Sequence, residues 1–235
     1  MLDSVDSTMA EAARRAPSID QPTWIIAKTQ TAARGRRGRS WVVPKGNLNA
    51  TLVFRPEATA AEAAKRSFLA ANALFAALSI YVSSEKLALK WPNDVLLSGG
   101  KVAGILLERS GSGRFVDFRS IGIGVNLKHT PEGVADTSFP PTSLMAAGGW
   151  EVEPHDFLST LADAYATQEA KLLRLGFGRI REDWLRNAAR LGEVITARTG
   201  REDVTGIFDT IDKDGNLVLI TGTGPRAISA ADVFF

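Results

Sequence analysis

Three apolar runs at 87–97, 102–107 and 115–127 follow one another with little chain between them, and they constrain the fold most. Gly99-Gly100 separates the first pair and Gly111-Ser112-Gly113 the second, so neither link holds the roughly dozen residues of a parallel crossover. The runs are therefore predicted to pair as hairpins within one antiparallel or mixed sheet. Further strands are expected at 24–28 and 48–54. Thr8-Met9-Ala10-Glu11 has the form of a capping box and predicts a short helix to Arg15, ended by Pro17. Between 60 and 82, Phe68, Ala71, Phe75, Leu78 and Val82 recur at helical intervals and mark a core helix.

Residues 154–187 read as two helices separated near Gly176 and Gly178. From Gly192 onward short β-like runs alternate with turns, Asp214-Gly215 being the clearest hairpin signal, and a small β-barrel is expected there. The fold class is α/β (α+β), a mixed sheet packed with helices over 1–187 and a small β-domain over 188–235.

The chain has no cysteine, which excludes disulfides, thiolate catalysis and cysteine-ligated zinc. Acidic residues Asp3, Asp6 and Glu11 stand where a signal peptide needs a basic start, and no apolar run approaches the ~20 residues of a spanning helix. A cytoplasmic protein with no membrane partner is expected. The formal net charge of +2 requires any anion site to be a local cluster.

Arg34-Gly35-Arg36-Arg37-Gly38-Arg39 is such a cluster, with guanidinium forks suited to oxyanions and glycines that let the backbone bend round a ligand. A solvated basic loop and a nucleic-acid surface are the competing readings of the same residues. Lys90-Trp91-Pro92-Asn93-Asp94 ends a strand, because Pro92 cannot donate to a ladder, and it projects Asn93 and Asp94 from a platform or simply builds a turn. Lys101 opens a strand in which Gly104 is costly unless something approaches the backbone closely. Gly122 and Gly124 share one face of a strand and would leave a smooth floor for a flat ligand. Neither a complete Gly-x-Gly-x-x-Gly fingerprint nor a P-loop is present. His129 and His155 lack metal-ligand spacing.

In order, Asp6-Ser7-Thr8, Gln30, the Arg34 to Arg39 loop, Trp41, Lys90 to Asp94, Lys101-x-x-Gly104-Ile105-Leu106 and Gly122-x-Gly124-x-Asn126 resemble the biotin protein ligase (biotin-[acetyl-CoA-carboxylase] ligase) family. The likeness extends to a C-terminal Ile211-Asp212-x-x-Gly215-x-Leu217 hairpin. The resemblance implies a catalytic domain followed by an SH3-like barrel, with biotin, ATP and Mg2+ used to form biotinyl-5′-AMP. Biotin would then pass to a lysine of a biotin carboxyl carrier protein.

Transferred by resemblance, Ser7, Thr8, Gln30 and Lys101 contact biotin or its activated carboxyl, while Arg34, Gly35 and Arg36 close over the adenylate. Arg37 and Asn93 join the nucleotide side, Trp41 lines the adenine, and Asp94 and Asn126 lie beside phosphate and metal. Gly104, Gly122 and Gly124 form the floor, and Lys101, Arg36 and Asp94 are the expected catalytic set. Ala33 and Met9 stand where the family usually has glycine and asparagine. The match begins near residue 1, so no operator-binding helix-turn-helix and no DNA partner are expected, whereas a homodimer is compatible with the resemblance.

Two other functions compete. A lipoate or octanoate ligase or transferase would share fold and partner type, but the arginine loop and Lys90 to Asp94 argue for biotin. A nucleic-acid-binding module would explain the arginines and the β-barrel while leaving Lys101, the paired glycines and Asn126 without a role.

Overall fold

The structure is a computed structural model that describes residues 1–42, 44–55, 62, 64–110, 118–133 and 139–235. The expected Gly111-Ser112-Gly113 turn, the start of the run at 115 and residues 60, 61 and 63 of the 60–82 helix fall outside the described residues.

A seven-stranded sheet organises the first part of the chain. Its strands are β1 (Leu2–Val5), β2 (Thr23–Gln30), β3 (Leu48–Phe54), β4 (Leu87–Lys90), β5 (Asp94–Leu97), β6 (Gly100–Ser110) and β7 (Phe118–Val125), in the order β1-β2-β3-β7-β6-β5-β4. Only the pairing of β1 with β2 is parallel. The helix α1 (Thr8–Arg15) supplies the crossover between those two strands, and the short links from β4 to β5 and from β5 to β6 enforce antiparallel pairing there.

Two local expectations change in detail. Ser7, not Thr8, caps α1, its Oγ accepting from the Met9 N–H at 3.2 Å. Glu11 turns outward to Arg14 and Arg15 instead of closing a capping box, which leaves the Thr8 hydroxyl free for other bonds. The run 87–97 divides at the turn expected from Pro92: Trp91-Pro92-Asn93 links β4 to β5 and sets Lys90 directly opposite Asp94. The next hairpin turns on Ser98 and Gly99, both at positive φ, one residue earlier than the glycine pair suggested.

The helices α2 (Arg66–Leu78) and α3 (Pro154–Arg186) pack together against the sheet. Asn72 Nδ2 donates to the Ile180 carbonyl, and Phe68 meets Phe177 and Trp184 edge to face. α2 ends before Val82 as its last turn tightens, with Ile80 N–H bonding to the Ala77 carbonyl and Tyr81 N–H to that of Leu78. Gly176, at φ 74 and ψ 176, breaks α3 into the two expected segments.

The C-terminal part is a five-stranded antiparallel sheet ordered β11-β10-β9-β8-β12. It comprises β8 (Val194–Arg198), β9 (Asp203–Ile211), β10 (Leu217–Thr221), β11 (Gly224–Ile228) and β12 (Asp232–Phe234). Its buried residues join those of the larger sheet in one contiguous core. Leu89 exchanges backbone bonds with Asn187 and Ala189, and Trp91 Nε1 donates to the Gly215 carbonyl. The segment carrying Lys90 to Asp94 is thus clamped between the two sheets. Among the described residues, no helix is long and apolar enough to cross a membrane.

Candidate active site

Four residues form a row across one face of the large sheet. Asn49 on β3 lies opposite Gly124 on β7, Gly124 opposite Gly104 on β6, and Gly104 opposite Asp94 on β5. Three strand spacings separate the ends, about 14 Å. The start of α1 and the arginine loop bound a cavity over this row.

One end of the cavity is neutral and polar. Thr8 is buried, and its N–H and Oγ both donate to Gln30 Oε1, at 2.7 and 3.1 Å. Gln30 Nε2 passes a bond to Asn49 Oδ1 at 3.1 Å, and Thr51 Oγ donates to Thr8 Oγ at 2.8 Å.

The other end is cationic. Lys101 Nζ lies 2.7 Å from Asp94 Oδ1, while Lys90 Nζ stands 3.7 Å from the second oxygen. Lys90 is buried over the Phe139 ring, and burial lowers its pKa against the opposing pull of Asp94. Arg36 points inward, with Nη1 3.4 Å from Asn93 Oδ1, and its pKa is also lowered, chiefly by burial. Asn93 is itself fixed by bonds in both directions with the Ile105 backbone. Lys90, Lys101 and Arg36 set against Asp94 give three positive charges to one negative, a net +2 suited to an anion.

The glycine floor lies between these ends, but side chains of the protein rest on it. A Cβ on Gly124 would fall 2.4 Å from Trp41 Nε1, and one on Gly104 3.4 Å from Trp41 Cζ3. Met9 Sδ would sit 2.8 Å from a Cβ on Gly122. The glycines therefore admit an indole and a thioether, with Lys101 Nζ 5.3 Å from the Trp41 ring centroid.

Of the residues singled out in the sequence, Ser7, Thr8, Gln30, Arg34, Gly35, Arg36, Trp41, Asn93, Lys101, Gly104, Gly122 and Gly124 all line this cavity. Asp94 stands behind Lys101, to which it is ion-paired. Arg37 faces away and shares Asp232 of β12 with Arg39, at 2.7 and 3.1 Å. Asn126 is buried and committed to structure: its Nδ2 donates to the Thr142 carbonyl, and its Oδ1 lies 3.4 Å from Asn47 Nδ2. Neither Arg37 nor Asn126 is among the lining residues. Sequence reasoning missed Asn49 and Thr51, whose signal was two polar residues at alternate positions of the apolar strand 48–54. It also missed Asp232, for which the sequence carries no signal.

Comparison with known proteins identifies the family. Residues 1–126 match the Biotin/lipoate A/B protein ligase family, and 191–235 match the Biotin protein ligase C terminal domain. The biotin–[acetyl-CoA-carboxylase] ligase of Paracoccus denitrificans is 50% identical over 238 residues, spanning 100% of this chain and 99% of that protein. The chain belongs to the biotin/lipoate A/B protein ligase family. A second family member, the biotin–[acetyl-CoA-carboxylase] ligase of Mycobacterium tuberculosis, is 32% identical over 89% of this chain and 77% of its own length. The biotin protein ligase of Aquifex aeolicus in complex with biotin and ATP superposes with a TM-score of 0.82, covering 99% of this chain and 95% of that one. At 24% identity that likeness concerns the fold.

Proposed function

We propose that this chain is a biotin protein ligase, which activates biotin with ATP to biotinyl-5′-AMP and transfers biotin to one lysine of a biotin carboxyl carrier protein. The observation that carries the reading is a cavity with a hydrogen-bonding neutral end and a cationic end, in a family member 50% identical to the Paracoccus ligase along its whole length. An acid with a polar head and a distant carboxylate matches that asymmetry. The aliphatic end of octanoate would face Thr8, Gln30 and Asn49, which favours biotin over the lipoate and octanoate alternative. The arginine loop gives the nucleic-acid reading little support, since Arg36 turns into the cavity while Arg37 and Arg39 pair with Asp232.

In the first step a carboxylate oxygen attacks the α-phosphorus of ATP and pyrophosphate leaves. The two anions repel, and Lys101 and Arg36, held by Asp94 and Asn93, offset that repulsion with charge already in position. Arg34, exposed at the rim, is free to close on the phosphate side. In the second step the carrier's lysine nitrogen attacks the acyl carbon and AMP departs. No residue of the enzyme becomes acylated.

Magnesium does not fit the residues as a protein-held ion. Asp94 is engaged by two lysines, and among the described residues no group of three or more His, Asp or Glu side chains could hold a metal. The expected metal role of Asp94 is accordingly dropped, and the ion would travel with the triphosphate. We place the domain boundary near Ala188 and the reaction in the cytoplasm, where ATP and carrier meet. The test is exchange of labelled pyrophosphate into ATP with biotin, lipoate or octanoate added. Exchange dependent on biotin is expected, and exchange with lipoate or octanoate but not biotin would overturn the proposal.

A further inference from the structure

The direction of every hydrogen bond at the neutral end of the cavity is fixed by one group that cannot be reversed. The Thr8 backbone N–H can only donate, so the Gln30 side chain must present Oε1 to it at 2.7 Å. Gln30 Nε2 consequently faces Asn49, and Asn49 must present Oδ1 to receive it. The remaining group, Asn49 Nδ2, is a donor. Asn49 is 1% exposed and lies in the cavity wall, yet its Nδ2 has no hydrogen-bond partner among the described residues. Buried donors are ordinarily satisfied, and leaving one unmet is costly. Among the described residues no other lining residue has such an atom: Asn72, Ser120, Gln168 and Arg181, which carry the others, do not line the cavity, and Asp94 Oδ1 is ion-paired to Lys101.

We propose that Asn49 is a specificity-determining residue, whose Nδ2 donates to a hydrogen-bond acceptor at the end of the acid remote from its carboxylate. Resting on the biotin reading above, this assigns the acceptor to the ureido carbonyl oxygen. The position suits the task, because Asn49 occupies one end of the row and Asp94, with Lys101, the other, about 14 Å apart. A ligand lacking the acceptor leaves the donor buried and unmet, so the site discriminates against lipoate and octanoate by what they lack. Alternation along β3 puts Asn49 and Thr51 on one face, where they bond Gln30 and Thr8, while Leu48, Ala50 and Leu52 belong to the core.

Calorimetric titration of the full chain, without ATP, tests the assignment with three ligands: biotin, lipoate and 2-iminobiotin, whose protonated guanidine-like head donates where the urea oxygen accepts. Asn49→Leu should weaken biotin about tenfold and leave lipoate unchanged, narrowing the discrimination between them. Asn49→Asp, which replaces the donor by an anionic acceptor, should shift preference from biotin toward 2-iminobiotin. If Asn49→Leu misfolds by thermal melting, the isosteric Asn49→Asp carries the comparison alone. Wild-type affinity for biotin in Asn49→Leu, an equal loss of biotin and lipoate, or an unchanged ratio of biotin to 2-iminobiotin in Asn49→Asp would overturn the role of Asn49. A wild-type chain that binds no biotin would instead overturn the biotin reading, and this inference with it.

Discussion

Lys101→Ala separates catalysis from packing at the cationic end. The lysine side chain is about a quarter exposed and pairs with a largely buried Asp94 at 2.7 Å. Exposed pairs contribute ~0–1 kcal/mol, whereas breaking a buried one costs ~3–5 kcal/mol. This pair lies between those limits, and Asp94 keeps Lys90 at 3.7 Å, so a loss of about 1–2 kcal/mol is expected. For a chain of this size that is a fall of roughly 2–8 °C in Tm. Adenylate formation should fall far more, by ~10²–10³, the effect of removing one positioned charge from a developing anion. Biotin-dependent pyrophosphate exchange and thermal melting, run on the same preparation, give both numbers. Adding Asp94→Asn to Lys101→Ala removes the remaining counter-charge of buried Lys90 and should lower Tm further without restoring exchange. Near-normal exchange in a folded Lys101→Ala, or recovery of exchange in the double variant, would reduce Lys101 to a counter-ion for Asp94.

Gly124→Ala should fold, since its backbone is not in the left-handed region, but its methyl would meet Trp41 at 2.4 Å and force the indole off the floor. Adenylation should drop at least tenfold with little change in Tm, and a variant of full activity would show that the contact is dispensable. Lys90→Met should alter the pH dependence of stability. Burial lowers the folded pKa of Lys90, so between that value and the unfolded ~10.4 the unfolded chain holds more protons and stability rises with pH. Below that window both states are protonated and the burial cost is present in full. Urea unfolding from pH 7 to 10 should give a shallower rise for Lys90→Met than for wild type, and parallel curves would contradict the account.

Much of the architecture was legible because connection length and periodicity are local properties. The short links near Gly99 left antiparallel pairing as the only option for 87–107, and β3 was bounded correctly at Leu48 and Phe54 by its apolar run. The errors arose where two local solutions competed. Ser7 and Thr8 can each cap a helix, and the choice fell to Ser7 because Gln30, distant in sequence, bonds Thr8 instead. At 87–97 there was no such competition: Pro92 cannot donate to a ladder, and it divides the apolar run into the β4–β5 hairpin.

The arginine loop marks the limit of what such reading can resolve. Four arginines within six residues are chemically interchangeable in a sequence, yet they meet different fates. Arg36 finds Asn93 and burial, Arg37 and Arg39 find one carboxylate on β12, and Arg34 remains exposed at the rim. Asp232 lies nearly 200 residues further along the chain, so only the packing of the two sheets brings it within 2.7 Å of Arg37. Each of those exposed pairs contributes little to stability, but together they direct two arginines away from the cavity and anchor the loop that carries Arg36. The neutral end was hidden for a different reason. β3 is buried on both faces, so Asn49 and Thr51 looked like lapses in an apolar strand until Gln30 and Thr8 supplied their partners. A polar residue in such a strand has to be explained by a partner, and Asn49 Nδ2 has none among the described residues, so the acid itself is the group left to supply it.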